Sequence, residues 1–225
     1  LWGVAEDHAS NPIKIGINRL KERGGKFVAI NPVRTGYQAV ADEWVPIKPG
    51  TDAMLALSLI HVLLKNELFD WEFLVRYTNA HYLVVDTPRK KGDGLFYRNK
   101  DGVPQSWDLE KESTVNATDS KIKPALLGNY VTEDGTPVKT VFTIMTERYL
   151  DKEYSPEMAS KICGVPAEQI ERIARELAHV AFKETIEVKT EWTDWTGRKH
   201  DKFIGRPVSM LSLIHISEPT RPDEI

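Results

Sequence analysis

Hydrophobic positions along this chain fall into three regimes: helical spacing to about residue 80, short apolar pieces between turn signals to about 139, and helical spacing again afterwards. In "NPIKIGINRLKERGG" (11–25), Ile13, Ile17 and Leu20 recur at i, i+4 and i+7, which predicts a helix, and Gly24 and Gly25 end it. The Phe-Val-Ala-Ile run of "KFVAINP" does not alternate and closes on Asn-Pro, as a short strand buried in a parallel sheet does. Helix, glycine turn and buried strand make half of a doubly wound α/β unit. The extended piece "ADEWVPIKPGTD" then leads through Pro-Gly into a helix over 52–67. That helix is apolar nearly all round and therefore predicted to be buried, with Thr51 at its N-cap and Asp52 in its positive first turn. A second short helix is predicted over 70–79.

From 81 to 139 Gly, Asp, Lys and Pro are frequent, and Tyr82–Val85 and Leu95–Tyr97 sit between turn signals such as Lys-Asp-Gly. Small antiparallel strands and loops are expected there, as an insertion. Helices are predicted again over 140–151 and 155–163, the latter started by Ser155 with Pro156 at its first position. The most amphipathic helix spans 165–182: Ile170, Ile173, Ala174, Leu177 and Ala181 share a face, and Glu171 and Arg175 stand at i, i+4. Residues 185–192 read as a strand and 193–210 as a surface loop. The fold expected is α/β: part of a doubly wound, Rossmann-like parallel-sheet domain with an irregular α+β insertion, incomplete as a fold. Its organisation is a nucleotide-binding α/β segment at 1–80, a loop-rich insertion at 81–139 and a helical segment at 140–210 that returns to the first.

Composition narrows the picture mainly by exclusion. The 225 residues carry a formal net charge of −3, with 41% hydrophobic and 28% charged residues, so neither nucleic acid nor an anionic membrane is supported as a partner. No apolar run reaches the about 18–20 residues of a membrane span. The single cysteine, Cys163, precludes an intrachain disulfide or a cysteine-rich metal motif, and a small buried thiol is its expected role. His61, inside the apolar helix, reads as a satisfied core histidine. There is no GxGxxG, GxxxxGK[ST] or HExxH. The polar residues that remain of interest stand where a strand ends, "INPVRT" (30–35), and where a helix begins, "PGTD" (49–52). In open α/β sheets ligands bind outside the carboxyl ends of strands. There Arg34 and Thr35 suit a phosphate and Asp52 a purine edge, although ordinary turn and cap chemistry reads the same residues equally well.

Taken together, "WG" at the start, "KFVAINPVRTGYQAVADEWVPIKPGTDAMLALSLIHVLL", "FDWEFLVRYTN" and "SPEMASKICGVPAEQIERIARELA" resemble the molybdopterin oxidoreductases of the dimethyl sulfoxide reductase type. The resemblance covers most of 1–79 and 150–182. It implies molybdopterin guanine dinucleotide with molybdenum as cofactor, and three nucleotide loops: Trp2 and Gly3; Asn31, Pro32, Val33, Arg34 and Thr35; and Gly50, Thr51 and Asp52, with Asp52 reading the guanine edge. Asn31 stands where the family has Asp, and "GVAEDHASNP" departs from the family's spacing after Trp-Gly. The family's [4Fe–4S] cysteines and molybdenum ligand precede the matching region and are expected in a part not present here, so no catalytic residue is named and this segment alone is expected to be inactive. "WTDWTGRKHDKFIGRPVSM" is most similar to the sulfite-oxidising, sulfur-oxyanion branch. That branch implies a membrane-anchor subunit together with an iron–sulfur electron-transfer subunit; the sequence leaves the compartment open, with a cytoplasmic, membrane-associated complex favoured over a periplasmic one. The competing reading is a free-standing α/β nucleotide-binding or interaction module without metal.

"LSLIH" occurs twice, at 57–61 and 211–215. A duplicated unit would repeat more than five residues. "LSLIHISEPTR" (211–221) instead resembles the in-frame translation of a transposase-type sequencing adapter, and 211–225 is expected to be a non-native tail. Leu1-Trp2-Gly3 reads like the end of a buried strand, as in an internal segment of a longer chain.

Overall fold

The computed structural model describes residues 1–3, 12–34 and 36–210. They cluster into two compact units, one built from residues 1–68 with the chain from 152 onward, the other from Phe69–Asp151.

The first unit is layered as an α/β structure. Helix α1 (Pro12–Glu22) ends at Gly24, whose φ of 77° is the left-handed conformation glycine adopts without a Cβ clash. Strand β1 (Val28–Ile30) then pairs in parallel with β2 (Glu43–Val45), Ala29 opposite Trp44. Trp2 bridges to Ile30, also in parallel, so Leu1–Gly3, β1 and β2 lie side by side in that order. Helices cover both faces. Ile17 of α1 packs with Phe27 and Ala29 on one side. On the other, Ile30 and Val45 join a core with Leu55, Leu59 and Val62 of α2 (Asp52–Lys65) and with Ile170 and Ala174 from farther along the chain. This is the expected α/β class. Helix α2 is buried on most of its surface, His61 and Ser58 included, which is why its apolar residues run nearly all round. It holds the first LSLIH; the second lies outside the described residues.

The second unit begins with α3 (Trp71–Tyr77), capped by Asp70, which accepts a hydrogen bond from the Phe73 amide at 2.9 Å. The expected small strands form an antiparallel sheet of β3 (Leu83–Val85), β7 (Pro137–Thr140) and β6 (Asn129–Val131), in the order β3-β7-β6, and a hairpin of β4 (Gln105–Asp108) with β5 (Ser113–Asn116). Thr140 caps α4 (Val141–Tyr149) and also donates to the Leu126 carbonyl at 2.7 Å. Leu83, Val138 and Phe142 are fully buried in this unit.

Back in the first unit, α5 (Pro156–Cys163) is capped by Ser155 with Pro156 in its first turn, as its sequence predicts, and is closed by Gly164 in the left-handed conformation. Helix α6 (Ala167–Lys183) presents Ile170, Ala174 and Ala178 to the core. Two expectations give way to tertiary partners. Arg175 reaches the Asn66 side chain at 2.7 Å, and the ion pair at i, i+4 spacing is Arg172 with Glu176. The anticipated loop at 193–210 is instead partly laddered. Here β8 (Ile186–Val188) pairs with β11 (Phe203–Gly205), and β9 (Trp192–Thr193) with β10 (Lys199–His200). Asp194 makes the tight turn possible by accepting from the amides of Thr196 and Arg198 at 2.9 and 3.0 Å.

Candidate functional site at the carboxyl ends of the parallel strands

Leu1–Gly3 and β1 run side by side in the same direction. The Ile30 amide donates to the Leu1 carbonyl at 2.8 Å and the Gly3 amide donates to the Ile30 carbonyl at 2.9 Å. Gly3 therefore lies beside Asn31. Trp2 points into the core with 6% of its surface exposed, and its indole Nε1 donates to Asp52 Oδ1 at 2.7 Å. One buried side chain thus ties the first strand to the start of α2 and fixes one oxygen of the carboxylate there.

The second segment, Asn31–Arg34, leaves β1 with both polar groups of Asn31's main chain engaged. Its amide donates to the Val45 carbonyl at 3.2 Å, and its carbonyl accepts from Trp44 Nε1 at 2.9 Å. Pro32, Val33 and Arg34 are exposed. The Arg34 guanidinium carbon stands 5.9 Å from the centroid of the Trp44 ring, within cation–π range. Thr35 and residues 4–11 lie outside the described residues.

The third segment, Gly50, Thr51 and Asp52, is held from behind. The Lys48 amide donates to the Cys163 carbonyl at 2.9 Å, so the turn that ends α5 anchors the loop. Gly50 has φ 77°, a conformation that side-chain-bearing residues rarely adopt. Thr51 occupies the N-cap position, but its hydroxyl donates to the Lys48 carbonyl at 2.7 Å and makes no cap bond to the helix. The expected side-chain cap is not made, because the local turn offers the hydroxyl a nearer acceptor; Thr51 meets the first turn of α2 through its carbonyl, which accepts from the Met54 amide at 3.1 Å. Such a helix start favours anions.

β2 is itself braced. Glu43 accepts from Arg172 and Gln169 of α6 and pairs with Lys26 at 3.0 Å. The bond from Arg172, helped by Gln169 and Lys26, outweighs burial and pulls the Glu43 carboxyl down to about 2. Asp42 lies below the usual carboxylate range as well, because Lys21 and the Phe27 amide donate to it.

The structure therefore joins Trp2, Gly3, Asn31 and Asp52 through direct bonds and strand pairing, and places Pro32–Arg34 and Gly50 on the loops that continue from them. Sequence reasoning did not single out Trp44 or Lys48. Trp44 stands in "ADEWVP" as an unremarked strand aromatic, and both residues engage main-chain carbonyls, which leave no signature in side-chain type. The assembled groups are an acceptor carboxylate, a guanidinium and the first turn of a buried helix. That set suits a nucleotide, with donors for phosphate and an acceptor for a base edge. Among the described residues no cluster of three or more His, Cys, Asp and Glu could hold a metal ion.

No family model matches the chain. Curated relatives do. It is 46% identical over 220 residues, 94% of this chain, to a sulfite dehydrogenase subunit of Allochromatium vinosum, of which it spans 22%. Over 215 residues it is 30% identical to the alpha subunit of perchlorate reductase from Dechloromonas aromatica, covering 79% of this chain and 23% of that protein. The catalytic subunit of a putative dimethyl sulfoxide reductase from Halobacterium salinarum is 32% identical over 171 residues, 70% of this chain and 19% of that one. The chain thus spans about a fifth of the length of these relatives, and it belongs to the molybdopterin oxidoreductases of the dimethyl sulfoxide reductase family.

Proposed function

We propose that this chain forms part of the catalytic subunit of a molybdenum oxidoreductase and binds the guanine nucleotide end of molybdopterin guanine dinucleotide. A small sulfur oxyanion such as sulfite is the favoured substrate of the whole protein, on the strength of the 46% identity to a sulfite dehydrogenase subunit. The observation that carries the nucleotide reading is the 2.7 Å bond from Trp2 to Asp52. It joins the start of the uncapped helix to the edge strand and holds Asp52 Oδ1, leaving the carboxylate to accept the paired N–H donors that a guanine edge presents. Arg34 and the first turn of α2 are the matching donors for phosphate. The bound cofactor would supply two-electron redox chemistry; the residues of this chain bind and orient it. An iron–sulfur cluster elsewhere in the polypeptide, a membrane anchor and an electron-transfer subunit complete the proposed enzyme. The sulfite dehydrogenase and perchlorate reductase relatives are themselves named as subunits, which supports a multi-subunit assembly, and no described helix here is long and apolar enough to cross a membrane.

The test is the molybdenum and guanine nucleotide content of the purified full-length protein. Asp52→Asn replaces one acceptor by a donor, so nucleotide content is expected to fall roughly tenfold or more, as for loss of a charged hydrogen bond. Wild-type protein lacking both molybdenum and nucleotide would support the metal-free module instead, and unchanged content in Asp52→Asn would remove Asp52 from the site.

A further inference from the structure

We propose that Trp44 is a positioning residue of the nucleotide site, acting as a splint under the Asn31–Arg34 loop. The proposal rests on the nucleotide reading above and adds to it the group that sets the loop's shape. Trp44 lies on β2 between two residues committed to the opposite face: Val45 is fully buried in the core and Glu43 is bound by Arg172 of α6. Trp44 is only half-buried, and it makes two contacts with the Asn31–Arg34 loop. Its indole edge donates to the Asn31 carbonyl at 2.9 Å, and its ring lies under the Arg34 guanidinium at 5.9 Å. One rigid side chain therefore holds both ends of a four-residue segment whose middle residues, Pro32 and Val33, are exposed.

An exposed arginine samples many rotamers, and holding one of them lowers the entropy lost when it meets an anion. The indole supplies that restraint without taking the charge away, because a cation–π contact leaves the guanidinium N–H donors available. The Asn31 bond fixes the loop backbone in the same step. Trp44 touches neither phosphate nor base in this role; it acts through Arg34 and Asn31.

The experiment uses the full-length enzyme and follows release of guanine nucleotide over time, from low to high ionic strength. Trp44→Leu is expected to release about tenfold faster, about 1.4 kcal/mol, the size of one neutral hydrogen bond plus an exposed cation–π contact. It should also flatten the salt dependence as Arg34→Gln does, and the double variant should be no worse than about the stronger single one. A general loosening of the fold would speed release but leave the salt dependence steep. That result, or release at the wild-type rate, overturns the proposal. Trp44→Phe keeps an aromatic face and loses the donor, so it should release about threefold faster with its salt dependence retained. It serves as the deciding variant if Trp44→Leu does not accumulate, and wild-type release from it then refutes the splint. If Arg34→Gln and Asp52→Asn both release nucleotide at the wild-type rate, the nucleotide reading itself falls. If they accelerate release while Trp44 variants do not, only the splint falls.

Discussion

Trp2 has one polar atom, and Asp52 receives it. Trp2→Phe keeps an aromatic ring in the core, which Trp2 shares with Ile30 and Leu55, and removes the N–H with part of the indole. The expected cost in stability is about 2–3 kcal/mol, from the lost bond and the small cavity, while the guanine nucleotide content of the full-length protein falls several-fold because the Asp52 carboxylate is no longer held. Full content in this variant would show that Asp52 is oriented by something else. Cys163 makes the opposite kind of prediction. Its side chain is 0% exposed, so an alkylating reagent should leave it unmodified in the native protein and label it only after denaturation; rapid native labelling would contradict its burial. At this scale the sequence was informative about charged groups at strand and helix ends, since Arg34 and Asp52 stand where ligands of α/β folds bind. It was silent about Trp44 and Lys48, whose partners are carbonyl oxygens of Asn31 and Cys163. Every residue has such an oxygen, so composition cannot announce which one will be used.

Among the elements, β2 shows how a three-residue strand is kept in place. Glu43 lies against Arg172, Gln169 and Lys26, and its carboxyl sits near 2 rather than 4.5. A depressed carboxylate stabilises the folded state fully above its ordinary value, and that contribution is lost as pH falls through the folded value. Amide exchange over β2 and the Arg172 turn of α6, corrected for intrinsic rate, should therefore accelerate as pH drops from about 4.5 toward about 2. Glu43→Gln should show the acidic behaviour already at neutral pH and lose this dependence; an unchanged profile would mean that the ion pairs do not brace the strand. Helix positions were largely legible. α1, α2, α5 and α6 follow apolar spacing, and Ser155-Pro156 and Gly164 mark the ends of α5. Their surface partners were less so. Arg175 chose Asn66 over Glu171 because α2 packs against α6 and brings Asn66 within 2.7 Å, a tertiary neighbour that i, i+4 counting does not contain. The strand read over 185–192 holds β8 and the start of β9, but their partners β10 and β11 were missed for a related reason: strands of two or three residues are too short to show a period.

Over the whole molecule the chain divides into two units, each with its own buried side chains. Phe142 is 1% exposed in the second unit, and Phe142→Ala is expected to cost about 3–5 kcal/mol there. Hydrogen exchange should show protection lost within 69–151 while α2 and α6 stay protected; loss that spread evenly across both would contradict the division. The sequence by itself determined the α/β class, the helices with clear apolar faces, the buried state of α2 and Cys163, and the family, because periodicity, capping residues and a long ordered motif are local properties that survive in one dimension. Tertiary structure alone decided that Trp2 meets Asp52, that Trp44 lies beneath Arg34, that the Thr51 hydroxyl turns from the helix to Lys48, and that the α5 turn anchors the Gly50 loop. Each of these joins groups through strand pairing and helix packing, and a hydrogen bond is made only where the fold brings donor and acceptor within about 3 Å. Residue type states which atoms could bond; only the packed chain states which of them do.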